Sequence, residues 1–153
     1  MKTAAAELVD DMLADSVFRA HYDRLAAEKG ALPVVQIGNI ENYSDERVTQ
    51  RLESARRRME IALRKSGLFD VVDDAGAAES VTAALADSLA ANANAGLKGN
   101  ARLQALGQHA SADYQMYGRY RLFAGGAREL SLQLIDLCTG KQVWSDLAEI
   151  NKE

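Results

Sequence analysis

The sequence predicts an α/β domain, a three-layer α/β/α sandwich around a mixed five-stranded sheet. Three observations lead there. Residues 4 to 72 read as helix, strand, helix, strand, the pattern of a right-handed parallel crossover. The last third reads as strands of alternating polarity joined by glycine turns. The chain has 153 residues, 48 % hydrophobic and 26 % charged, enough for one domain spanning 1–153 and too few for two.

The elements follow in order. Residues 4 to 27 carry Ala4, Ala5, Leu8, Met12, Val17 and Leu25 at roughly helical spacing, and Gly30 ends the helix. "VVQIGNI", 34 to 40, is compact and bounded by breakers, so it reads as a buried strand. A helix is expected over about 45 to 65, with Ser44 as its N-cap and Val48, Leu52, Ala55, Met59 and Ala62 inward. Its second half holds Arg56, Arg57, Arg58, Arg64 and Lys65, which suit the negative end of the helix dipole. A short strand follows around 69 to 72. Alanine-rich helices are expected near 77 to 91 and 99 to 109, with "NANAGLKGN" between them as the most mobile stretch.

"ADYQMYGRYRLF" then reads as a strand, "AGGAR" as a turn and "ELSLQLIDL" as a strand with Leu130, Leu132 and Leu134 on one side. "CTGK" turns the chain into a last strand, "QVWSDLAEI". That "TGK" is not a phosphate loop. Ile135 stands where a Walker loop needs its first glycine, and a strand rather than a helix follows. Gly140 supplies the positive φ of a hairpin.

Composition and spacing exclude several chemistries. A net charge of −4 speaks against non-specific nucleic-acid binding. No apolar run approaches the roughly 20 residues of a membrane span. The N-terminus fails as a signal peptide, because Glu7, Asp10 and Asp11 interrupt it. One cysteine and two distant histidines, His21 and His109, do not make a zinc site. Cys138 has no adjacent base and reads as inert. Ser111 near His109 lacks a nucleophile elbow, and the acids form neither a metal loop nor a catalytic pair. No catalytic residue, cofactor site or metal site is therefore expected. The Arg56-Arg57-Arg58 run spreads around its helix and reads as a solvated face.

Period two in "DYQMYGRYRL" places Tyr114, Met116, Gly118, Tyr120 and Leu122 on one face of a strand. Gln115, Tyr117, Arg119 and Arg121 fall on the other. Tyr with Arg on a partly exposed surface is the composition of protein-binding hot spots. Tyr117, Arg119 and Arg121, with Asn42 on the loop after the first strand, are the expected partner contacts.

Three stretches resemble the penicillin-binding-protein activator family LpoB, and more distantly the N-terminal domain of TolB and the CsgG-like domains. "PVVQIGNIENYSDERV" is similar to that family's strand and Ile-x-Asn-x-Ser/Thr-x-Glu, through Ile40, Asn42, Ser44 and Glu46. "SADYQMYGRYR" matches through Ala112, Asp113, Tyr114 and Gly118. "LQLIDLCTGKQVWSD" matches through Leu134, Asp136, Thr139, Gly140, Val143 and Trp144. The likeness covers about residues 5 to 150, with the 74–100 insert departing from the family pattern.

Pattern and resemblance agree on the sheet: order 2-1-3-4-5, the first two strands parallel, the fourth antiparallel and the fifth at an edge. The resemblance implies a non-catalytic periplasmic lipoprotein domain, expected to be a monomer. It would bind and activate a peptidoglycan synthase, a bifunctional penicillin-binding protein. A lipidated cysteine and a linker would hold it at the outer membrane; this chain shows neither, so both are expected upstream. A TolB- or CsgG-like structural or secretion-associated envelope protein is the alternative.

Overall fold

The computed structural model describes residues 2–72 and 112–150, so the two helices and the mobile stretch expected between 77 and 109 lie outside the described residues. Where one N-terminal helix was expected there are two, α1 (Lys2–Ala14) and α2 (Ser16–Lys29). Asp15 separates them. Its backbone is extended, at φ −72° and ψ 129°, and its carboxylate accepts the Phe18 N–H at 2.9 Å. An aspartate offers the backbone that alternative to an unbroken helix, and here the cap wins. The break also resets the helical phase. Val17, expected inward, is 67 % exposed, while Phe18 and Tyr22 are buried.

β1 (Val34–Asn42) leads through a loop to α3 (Thr49–Ser66) and then β2 (Asp70–Val72). The helix starts four residues later than expected. Val48 occupies the cap position without a side-chain bond, because Ser44 is engaged in the loop instead. Leu52, Ala55, Met59 and Leu63 form the buried stripe of α3. β3 (Tyr114–Leu122), β4 (Arg128–Asp136) and β5 (Lys141–Ile150) complete the sheet.

The strand order is β2-β1-β3-β4-β5, as expected. β1 pairs in parallel with both β2 and β3, while β4 is antiparallel to β3 and β5 to β4. A register shift between Ile37 and Ile40 bends β1 against β3. Gly118 sits on β3 just past it. A Cβ there would lie 2.9 Å from Ile40 Cγ1 and 3.0 Å from Leu132 Cδ2, so only glycine lets these side chains close over the strand.

One face of the sheet carries Val35, Ile37, Tyr114, Met116, Tyr120, Leu130, Leu132, Leu134 and Trp144. These share a single core with the buried residues of α1, α2 and α3. On the opposite face Gln36, Gln115, Tyr117 and Ile135 are buried as well. Both faces at the centre of the sheet are thus shielded from water, which a three-layer arrangement requires.

Candidate protein-binding site

The loop from β1 to α3 is built by the three polar residues of the Asn42-x-Ser44-x-Glu46 pattern. Asn42 Oδ1 accepts from the Ser44 backbone N–H at 2.9 Å and from its hydroxyl at 2.6 Å. Asn42 Nδ2 donates to the Glu46 carbonyl at 2.9 Å. Asn42, expected at a partner contact, therefore spends its amide on shaping this loop. Such side-chain bonds to nearby backbone are what asparagine and serine do in turns.

Glu46 fastens the loop to the sheet. Its carboxylate takes two bonds from Arg128, at 2.9 and 2.8 Å, and one from the Tyr120 hydroxyl at 2.7 Å. Those Arg128 bonds, then the Tyr120 bond, hold the carboxyl down at about 2, against a smaller opposing cost of burial. The two-pronged geometry is the strong form of a guanidinium–carboxylate pair. Tyr43, between Asn42 and this clamp, is fixed by its N–H donating to the Tyr120 carbonyl at 2.8 Å.

From there the Tyr43 ring meets Arg119. The guanidinium carbon lies 5.7 Å from the Tyr43 centroid and 5.3 Å from that of Tyr117, so the cation is held by two rings. Arg119 Nε also donates to the Tyr117 hydroxyl at 3.3 Å, and the two phenols are 3.4 Å apart. Tyr117, one of the expected contacts, is 1 % exposed. It is the floor beneath Arg119 and not itself a surface residue; burial, first of all, pushes its phenol up to about 12. Arg119 and Arg121 are half-buried.

Around the two arginines the sheet is open. Tyr43 and Phe123 are exposed, and Leu147 stands across from Ser131 on the neighbouring strand pair, also exposed. Alternation along β3 put Arg119 and Arg121 on this face correctly. It did not reveal Tyr43, which joins the cluster only because β1 and β3 are neighbours. A large aromatic in a loop next to Asn42 was the available signal.

The other end of β3 holds a second polar network that the sequence did not suggest. His21 Nε2 lies 3.0 Å from Asp136 Oδ2, and Nδ1 lies 2.7 Å from the Tyr114 hydroxyl. A carboxylate can only accept, so Nε2 carries the proton toward Asp136; in the neutral ring, Nδ1 then accepts from Tyr114. Burial, followed by the charges of Asp136 and Asp113, raises the Tyr114 phenol and keeps it a donor. Asp113 accepts from Lys29 at 2.7 Å and from the Val34 N–H at 2.8 Å. Asp136 Oδ1 accepts the Cys138 N–H at 2.7 Å, and Gly140 closes the turn at φ 73°. The thiol of Cys138 is raised, first by burial and then by these two aspartates, which is the reverse of activation. The network locks α2 to the β4–β5 hairpin.

The profile of the peptidoglycan-synthase activator LpoB matches residues 1–150. The chain belongs to the LpoB family. Its fold is that of the LpoB C-terminal domain from Escherichia coli, at TM-score 0.60 and 17 % identity, over 99 % of this chain and 98 % of that one. The corresponding domain from Salmonella enterica gives TM-score 0.57 at 17 % identity, over 98 % and 97 %. An NMR structure of E. coli LpoB gives TM-score 0.56 at 17 % identity, over 97 % of this chain and 66 % of that one. No curated protein matches the sequence. LpoB membership makes this chain a peptidoglycan-synthase activator and favours that reading over a TolB- or CsgG-like structural role. It also explains the three shared motifs: one builds and clamps the β1–α3 loop, one seats β3, and one makes the β4–β5 turn.

Proposed function

We propose that this LpoB-family domain activates a bifunctional penicillin-binding protein by direct contact, with no chemistry of its own. It acts as a monomer in the periplasm, tethered to the outer membrane through a lipid anchor upstream of the domain. The contact surface is the open end of the sheet's second face, with Arg119 and Arg121 as its cations and Tyr43 and Phe123 as its aromatics. Tyr117 and Asn42 serve it from beneath, one as a floor and one as a loop brace.

The observation that carries this reading is the Arg119 cation held between two tyrosine rings, one exposed and one buried. A side chain already fixed in this way loses little freedom when a partner covers it. Interface energy concentrates in a few such Tyr and Arg residues, each worth about 2 kcal/mol or more when truncated. The test is a titration of Tyr43→Ala and Arg119→Ala against the cognate synthase, with each variant first shown to fold. Both are expected to bind at least tenfold more weakly and to stimulate correspondingly less. Parental affinity in both would place the contact on another surface.

A further inference from the structure

The outward face of α3 is strongly basic in a chain whose net charge is −4. Arg51, Arg57, Arg58, Arg64 and Lys65 are all exposed, as is Arg47 just before the helix, against exposed Glu53 and half-buried Glu60. The triple-arginine run does split, as expected from helical angles: Arg56 turns inward and donates to the Ile37 carbonyl at 3.2 Å. Yet the exposed cations line up across turns. Arg51, Arg58 and Lys65 follow at seven-residue intervals, which is about 10 Å per step along a helix and about 21 Å in all. Arg57 lies beside this line, and a shallow depression of about 270 Å³ is bordered by Ser54, Arg57, Arg58 and Ile61. Arg64 is paired with Glu60 at 3.2 Å, and Arg51 acts on Glu46. Arg57, Arg58 and Lys65 have no carboxylate partner among the described residues. The run spreads into solvent as expected, and the helix aligns a stripe from residues further apart.

We propose that this stripe docks the carboxylates of peptidoglycan peptide stems, holding the domain against the polymer. The proposal rests on the family's link to peptidoglycan synthesis for the identity of the polymer, and on this face for the contact. A row of cations at regular steps fits an extended chain with repeating anionic groups better than one small ion. Guanidinium forks pair with carboxylates in two-pronged fashion, as Arg128 and Glu46 do within this chain. An acidic lipid surface is the weaker occupant. The apolar stripe of α3 is buried in the core, and Ile61 is the only large apolar side chain on its outward face, so nothing is free to enter acyl chains.

The experiment is co-sedimentation of the purified domain with protein-free peptidoglycan sacculi. The parent should sediment at low salt and be released as the Debye length shortens to roughly 8 Å near 0.15 M. Arg57→Gln/Arg58→Gln/Lys65→Gln, checked by its melting curve, should bind at least tenfold less, and Arg57→Lys/Arg58→Lys should fall between it and the parent, because an ammonium keeps the charge and loses the two-pronged pair. Sacculi whose carboxylates have been amidated should not retain the parent. Undiminished binding by the glutamine variant, binding to amidated sacculi, or no sedimentation at all would each overturn the proposal. So would capture only by phosphatidylglycerol vesicles. Sacculi contain no synthase, so this outcome is independent of the titration above: the glutamine variant should still bind the synthase as the parent does, while Arg119→Ala should still sediment.

Discussion

Glu46 shows how one side chain can fix the proposed contact surface without belonging to it. It ties the Tyr43 loop to β3 and β4 through Tyr120 and Arg128, residues more than seventy positions away. Because its folded value is depressed from 4.5 to about 2, its contribution to stability is complete above about pH 4.5 and fades as pH falls toward 2. Glu46→Gln is therefore expected to melt below the parent at neutral pH. The gap in Tm should narrow between about pH 4.5 and about pH 2. A series of thermal melts across that range checks this, and a gap of constant size would show that ionised Glu46 is not what the fold uses. Of the expected site residues, period-two alternation correctly set Tyr117, Arg119 and Arg121 on the same face. It could not tell that Tyr117 is covered, because burial depends on what packs over the strand.

At the scale of elements, strands were more legible than helix ends. The β4–β5 hairpin follows from local chemistry: Asp136 bonds two turn amides, and Gly140 takes a positive φ. Helix boundaries turned on competition between nearby polar groups. Asp15 capped a new helix inside an expected one, and Ser44 was drawn to Asn42 and so did not cap α3. On β5, Trp144 stands opposite Leu134 and is 7 % exposed, within the same core as α1 and α2. Trp144→Ala is expected to cost about 3–5 kcal/mol, the penalty for emptying a core aromatic site. Chemical denaturation measures it. An unchanged midpoint would mean that the indole contributes no packing energy and belongs to the surface.

For the whole molecule, the arrangement of charge says more than its sum. Acidic residues outnumber basic ones, yet cations gather along α3 and at the open end of β3. Oppositely charged partners are steered by such patches, and salt screens the attraction over roughly 10 Å at 0.1 M. Association of the domain with its synthase is expected to slow as salt rises. Arg119→Ala/Arg121→Ala should flatten that dependence, while the α3 glutamine variant should leave it in place. Stopped-flow association at several salt concentrations separates the two surfaces; a rate indifferent to salt would remove charge from the encounter.

The sequence by itself determined the α/β class, the five strands, the glycine turns and the alternating faces of β3. These are set by periods of two and 3.6 and by breakers, and the strand order came from pattern and resemblance together. The three motifs added the family. Tertiary structure alone decided that Arg56 turns inward from α3, that Tyr43 joins Tyr117 around Arg119, and that His21 bridges Tyr114 and Asp136. Each of these depends on separate elements meeting. Local pattern carries no record of such meetings, because only packing of the elements brings those atoms together.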